Sequence, residues 1–220
     1  MNISRPALRF AALHLLAVLP LAASATTLWD ESSQGDLSGD RLAPTGLSLS
    51  LGSNTLTATT QNGDLEYVTF EVPAGQTITS VYLNSYTGLD GRAFFGLQQG
   101  NTFSVPPESA IPADMYGYSH FGPSATGATV GTDFLGQIAT GFGAQGFTPP
   151  LSAGTYTIWL QQLGTPTTYQ LDFVTAAVPE PAATTACVAG ALLGVAAIRR
   201  RGSVTGGSRH GYRGSSRANP

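Results

Sequence analysis

Apolar and polar residues alternate with a period of two along much of the chain between positions 26 and 177. Val68, Phe70 and Val72 alternate with Tyr67, Thr69 and Glu71, and Pro73-Ala74-Gly75 follows with turn chemistry. Leu47, Leu49 and Leu51 alternate with Ser and Gly. Thr77 to Asn84 and Arg92 to Gln98 are further strand candidates. Tyr156, Ile158 and Leu160 alternate with Thr155, Thr157 and Trp159, and Tyr169, Leu171 and Phe173 with Thr168, Gln170 and Asp172. Leu163-Gly164-Thr165-Pro166 between those two runs suits an antiparallel hairpin. No stretch of this region shows a 3.6-residue apolar period with caps. Residues 101–147 are rich in Gly, Pro, Ser and Ala, and read as long loops around one or two strands, one of them Asp133 to Ala139. A long irregular insertion in a β scaffold is where a binding surface would lie. The pattern predicts an all-β fold: an antiparallel β-sandwich of jelly-roll type over residues 26–177.

Both ends depart from that pattern. Arg5 and Arg9 precede an apolar run from Phe10 to Ala22, and Ala23-Ser24-Ala25 supplies small residues for cleavage. Residues 1–25 therefore read as a secretory signal peptide, cut by signal peptidase at Ala23 and Ala25; an uncleaved anchor is the alternative. At the other end, Val178-Pro179-Glu180-Pro181 precedes an uncharged stretch over 182–198, and Arg199, Arg200 and Arg201 close it. The stretch would span about 25 Å as a helix, near the lower limit for a bilayer core. It reads as a single C-terminal transmembrane helix, with the arginines held on the cytoplasmic side. Gly202 to Pro220 carries Arg209, Arg213 and Arg217 among Gly and Ser, which suits a disordered basic tail.

The order of Pro-Glu-Pro motif, short apolar helix and basic end over 178–201 resembles the PEP-CTERM sorting signal of Gram-negative bacteria. That resemblance implies recognition by a membrane-embedded exosortase after passage through the general secretion machinery. It implies transient anchoring in the inner membrane, then delivery to the cell surface or the extracellular matrix, where exopolysaccharide would be a partner. The continuation past Arg201 departs from the family's pattern, and a plain single-pass anchor is the alternative. Asp64 to Gly75 and Leu151 to Tyr156 are similar to two strands of the bacterial pre-peptidase C-terminal domain, a small β-sandwich with binding or chaperone-like rather than catalytic roles.

Composition narrows the chemistry. Charged residues make up 10% of the chain and lysine is absent, which excludes a nucleic-acid binder, a coiled coil and a disordered acidic tail. The body over 26–178 holds two arginines, Arg41 and Arg92, against twelve carboxylates, so it repels anionic lipids, nucleic acid and acidic glycans. Neutral sugars, cationic surfaces and divalent ions are the compatible partners. The one cysteine, Cys187, lies in the apolar C-terminal stretch, which excludes thiol catalysis and thiolate metal sites from the body.

Three kinds of site remain. Asp30, Glu31, Asp36 and Asp40 cluster near the start of the body, and their oxygens suit a structural calcium, with Asp64 and Asp90 as further contributors; the spacing is not that of an EF-hand loop. Tyr116, Tyr118 and Trp159, with Trp29 and Phe121, could stack on sugar faces, though a strand Trp more often packs in a core. Ser119 beside His120 is the third: a nucleophile elbow needs a second glycine and a following helix, and adjacent side chains diverge, so a hydrolase is disfavoured. No spacing of acids selects a glycosidase pair. The expected role is a non-catalytic exported protein without a required cofactor, with a carbohydrate- or calcium-binding envelope module as the alternative.

Overall fold

Period-two alternation becomes β-structure in the computed structural model, which describes residues 24–179. The strands are β1 (Thr26–Asp30), β2 (Thr45–Ser48), β3 (Gly52–Thr60), β4 (Leu65–Val72), β5 (Gln76–Thr87), β6 (Ala93–Gln99), β7 (Gly117–Phe121), β8 (Gly154–Gln161) and β9 (Thr167–Ala177). Two one-turn helices, α1 (Glu31–Gln34) and α2 (Leu135–Ala139), and two short 3₁₀ turns complete the described elements. The strands form two sheets, in the orders β1-β3-β9-β5 and β2-β4-β8-β6-β7. The expected all-β sandwich is present.

Its strands are not all antiparallel. β3–β9, β4–β8, β6–β8 and β6–β7 are antiparallel, whereas β1–β3 and β2–β4 run parallel. Parallel neighbours need a crossover, and here the other sheet supplies it: β2 lies between β1 and β3 in the chain, and β3 between β2 and β4. Alternation marks which face a residue occupies but carries no information on strand direction.

Three local expectations also change. β8 and β9 do not form a hairpin; they lie in different sheets, and the link through Leu163–Pro166 crosses between them. Sheets pack about 10 Å apart, a distance a few extended residues cover. The Leu47–Leu51 alternation stops at Ser48, because buried Asn54 holds a bend: its Oδ1 accepts from Ser50 N at 2.8 Å and its Nδ2 donates to the carbonyls of Ser50 and Gly52. Asp133 to Ala139 is not a strand. Asp133 Oδ1 accepts from Leu135 N at 3.0 Å where the chain enters α2, whose Leu135, Ile138 and Ala139 are buried. The same oxygen accepts from Val81 N at 3.0 Å, so irregular chain, rather than another strand, occupies the outer side of β5.

The core lies between the sheets. Val68, Phe70 and Val72 of β4, Ile158 and Leu160 of β8, and Phe95 and Leu97 of β6 face Leu56 of β3 and Leu171 and Phe173 of β9. Burying one such side chain stabilises by about 1.5–3 kcal/mol. The segments 64–75 and 151–156 meet as neighbours, with Phe70 opposite Tyr156 and Val72 opposite Gly154. A second, smaller cluster of Tyr67, Phe103, Met115 and Trp159 covers part of the outer face of the second sheet.

The leader through residue 23, Glu180, Pro181, the helix expected over 182–198, Arg199–Arg201 and the basic tail lie outside the described residues. Among the described residues no helix is long and apolar enough to cross a membrane.

Candidate functional site

Two places gather chemistry. The first is a hollow of about 630 Å³ on the outer face of the second sheet, lined by Asp90, Arg92, Phe94, His120, Trp159 and Gln161 among others. Sheet register builds it. Phe94 of β6 pairs with His120 of β7 on one side and Gln161 of β8 on the other, and alternation turns all three outward. Gly96 pairs with Trp159 and Tyr118 in the adjacent row. A Cβ at Gly96 would stand 2.9 Å from the Phe94 ring, so the missing side chain gives that ring its place. Phe94 meets Trp159 edge-on at 4.8 Å and His120 at 5.6 Å.

Polar groups ring these aromatics. Asp90 Oδ2 accepts from Thr165 N at 2.7 Å, and that bond above all holds its carboxyl below the usual range. Partial burial, and then the Arg92 guanidinium, lower the His120 imidazole below its ordinary value. An apolar floor with amide, imidazole and guanidinium groups at the rim can stack a sugar ring and hydrogen-bond its hydroxyls.

Of the aromatic candidates, Tyr118 and Trp159 share this outer face, while Tyr116 does not: its ring stacks on Phe147 at 5.1 Å and packs against the inner core. Trp159 is 6% exposed, so it supports Phe94 more than it meets solvent. Tyr118 donates from its hydroxyl to the Phe142 carbonyl at 2.8 Å. Phe94 escaped the sequence reading, yet Phe94-Phe95 in one strand must put one ring on each face. Ser119 and His120 point to opposite faces of β7, and the Ser119 hydroxyl donates to the His120 carbonyl at 3.0 Å, which leaves the imidazole without that nucleophile.

The second place is acidic. Oxygens of Glu31, Asp36 and Glu66 lie within 4.8 Å of one another. Asp30 and Asp40 are not members: Asp30 caps α1 by accepting from Ser32 N at 3.0 Å, and Asp40 accepts from Leu42 N at 2.9 Å. Asp36 is exposed at the rim and Glu66 is 0% exposed. Glu31 is fixed by Thr59 N, which donates to its Oε2 at 2.6 Å, and by Leu37 N at 3.3 Å to Oε1. Burial first, and then the charges of Glu31, Asp36 and Asp64, push the Glu66 carboxyl up to about 9. Burial also raises Asp64, with Asp36 adding to it.

In the acidic cluster, Glu66 is the residue that sequence reading missed. Its parity was the signal, because it falls on the same face of β4 as Val68, Phe70 and Val72. No protein-family model, no curated protein and no solved structure matches the chain.

Proposed function

We propose that this protein is an exported, non-catalytic component of a bacterial cell surface or matrix, whose β body binds neutral exopolysaccharide. The observation that carries the binding role is the hollow floored by Phe94 against Trp159, with Arg92, His120 and Gln161 at its edge. The negative balance of the body favours uncharged glycans over acidic ones. The terminal segments carry the itinerary. Signal peptidase removes residues 1–25, and an exosortase acts at Val178-Pro179-Glu180-Pro181 while the apolar 182–198 stretch and Arg199–Arg201 hold the chain at the inner membrane. The strand orders support a jelly roll, with β3-β9-β5 and β4-β8-β6-β7 as its two faces and irregular chain beside β5 in place of its last strand.

Affinity electrophoresis through gels containing neutral polysaccharides tests the binding role. Retardation by at least one neutral glycan is expected, weakened by Phe94→Ala. Equal mobility in every gel overturns it. Deleting residues 179–201 tests the itinerary, and unchanged delivery to the surface overturns that part.

A further inference from the structure

We infer that Glu31, Asp36 and Glu66 hold a calcium ion that ties the start of the β body to its second sheet. Their oxygens lie within 4.8 Å of one another, which fits a single ion with oxygen ligands at about 2.3–2.6 Å. The carboxylates come from three separate places: Glu31 begins α1 behind β1, Asp36 follows in the next loop, and Glu66 belongs to β4.

Glu66 turns a group of acids into a site. It is 0% exposed, and neither of its carboxylate oxygens meets a hydrogen-bond donor among the described residues. A buried carboxyl left without a partner is costly whether charged or neutral, and native interiors pair such groups with a cation or a hydrogen-bonding group. Glu31 and Asp64, the side chains placed to hydrogen-bond with Glu66, are acids themselves, so either bond needs a shared proton. Among the described residues, the charges that act on Glu66 are those of Glu31, Asp36 and Asp64, all negative. Neither arginine of the body is turned to the cluster. Arg41 donates to the carbonyls of Phe103 at 3.0 Å and Ser104 at 2.9 Å, and Arg92 lines the hollow.

The ligand set selects the kind of ion. It consists of carboxylate oxygens with no imidazole or thiolate, which suits a hard cation and disfavours zinc or copper. Asp36 at the exposed rim leaves one side for water ligands, and an irregular set completed by water suits calcium better than magnesium, which demands octahedral geometry. The backbone donors from Thr59 and Leu37 fix the Glu31 carboxylate before any ion arrives, so the site is partly preorganised. The ion would link α1, which follows a strand of the first sheet, to β4 of the second. It works independently of the sugar hollow.

Isothermal calorimetry on the full chain, stripped with chelator and titrated with CaCl₂ or MgCl₂, tests the site, with thermal unfolding as the second readout. The expected result is one calcium per chain, a saturable rise in Tm, and magnesium binding weaker by about tenfold or more. Glu66→Gln should abolish both responses, while Glu71→Gln, an exposed change on the same strand, should leave them intact. Asp36→Asn guards against a folding defect, since its side chain is exposed: it should leave the Tm in chelator unchanged and weaken calcium binding by about tenfold or more. Absence of calcium binding in the parent chain overturns the inference. So does binding unaffected by Glu66→Gln and Asp36→Asn, or magnesium bound as tightly as calcium.

Discussion

Glu31 and Glu66 bring carboxylates from different sheets into one cluster: Glu31 opens α1 behind β1 of the first sheet, and Glu66 is the second residue of β4 in the second. The backbone hydrogen bond from Tyr67 N to Ser38 O, at 2.8 Å, keeps the intervening loop against β4 and holds this meeting in place. An ion held there, as inferred above, would tie stability at this end of the sandwich to the ionic content of the medium.

Glu66→Gln should change rank with calcium. At a hundredfold excess over its dissociation constant, calcium adds about 2.7 kcal/mol to the parent protein and nothing to the variant. In chelator the variant should be at least as stable as the parent, because its amide can donate to the Glu31 carboxylate. Denaturant unfolding in both buffers checks the exchange of order.

Phe95→Ala should cost about 3–5 kcal/mol, because the ring spans the core. Phe95 is 1% exposed, and it meets Phe173 of the opposite sheet at 6.5 Å and Phe134 at 5.9 Å. A lowered denaturation midpoint with an unchanged slope is the expected measurement.

Tyr67 ties stability to alkaline pH. Its hydroxyl is buried without a hydrogen-bond partner among the described residues, and burial above all pushes its pKa from 10 up to about 12. The folded state thus holds the phenolic proton more tightly than the unfolded chain does. This stabilising contribution is whole below pH 10 and is lost as pH rises from 10 to about 12. Tyr67→Phe should make the alkaline decline shallower, with no loss of stability at pH 7. Thermal unfolding across pH 8 to about 12 checks both.

Gly96→Ala should weaken retention in neutral-polysaccharide gels more than it lowers stability. The added Cβ would stand 2.9 Å from Phe94 Cε1 and 3.3 Å from Met115 Sδ. Both contacts are far ends of side chains that can turn aside, so the ring moves from its place on the floor of the hollow while the strand persists. Gel mobility and Tm measured on the same variant separate the two effects.

Faces were legible along the chain; neighbours were not. The alternation around Val68, Ile158 and Leu171 marks core positions because successive side chains in a strand point to opposite sides. The same rule assigns Phe94 outward and Glu66 inward, although a lone glutamate at the end of an apolar run reads as a surface residue until its parity is counted. The turn of α2 was hidden because Phe134, Leu135 and Ile138 also look like part of a short apolar strand; the backbone bonds from Gln137 N and Ile138 N to the Phe134 carbonyl make it helical.

The terminal segments are linear features: charge, apolar length and small residues in order are what peptidases and membranes read, so their expected roles follow from the chain alone. Pairing is different in kind. Which strands lie side by side, that β1 and β2 join their sheets in parallel, and that Asp36 rather than Asp30 or Asp40 meets Glu66 all depend on contacts between distant parts of the chain. A period of two contains no term for partner or direction. Those arise only when two sheets close over a shared core and carry their side chains to common ground.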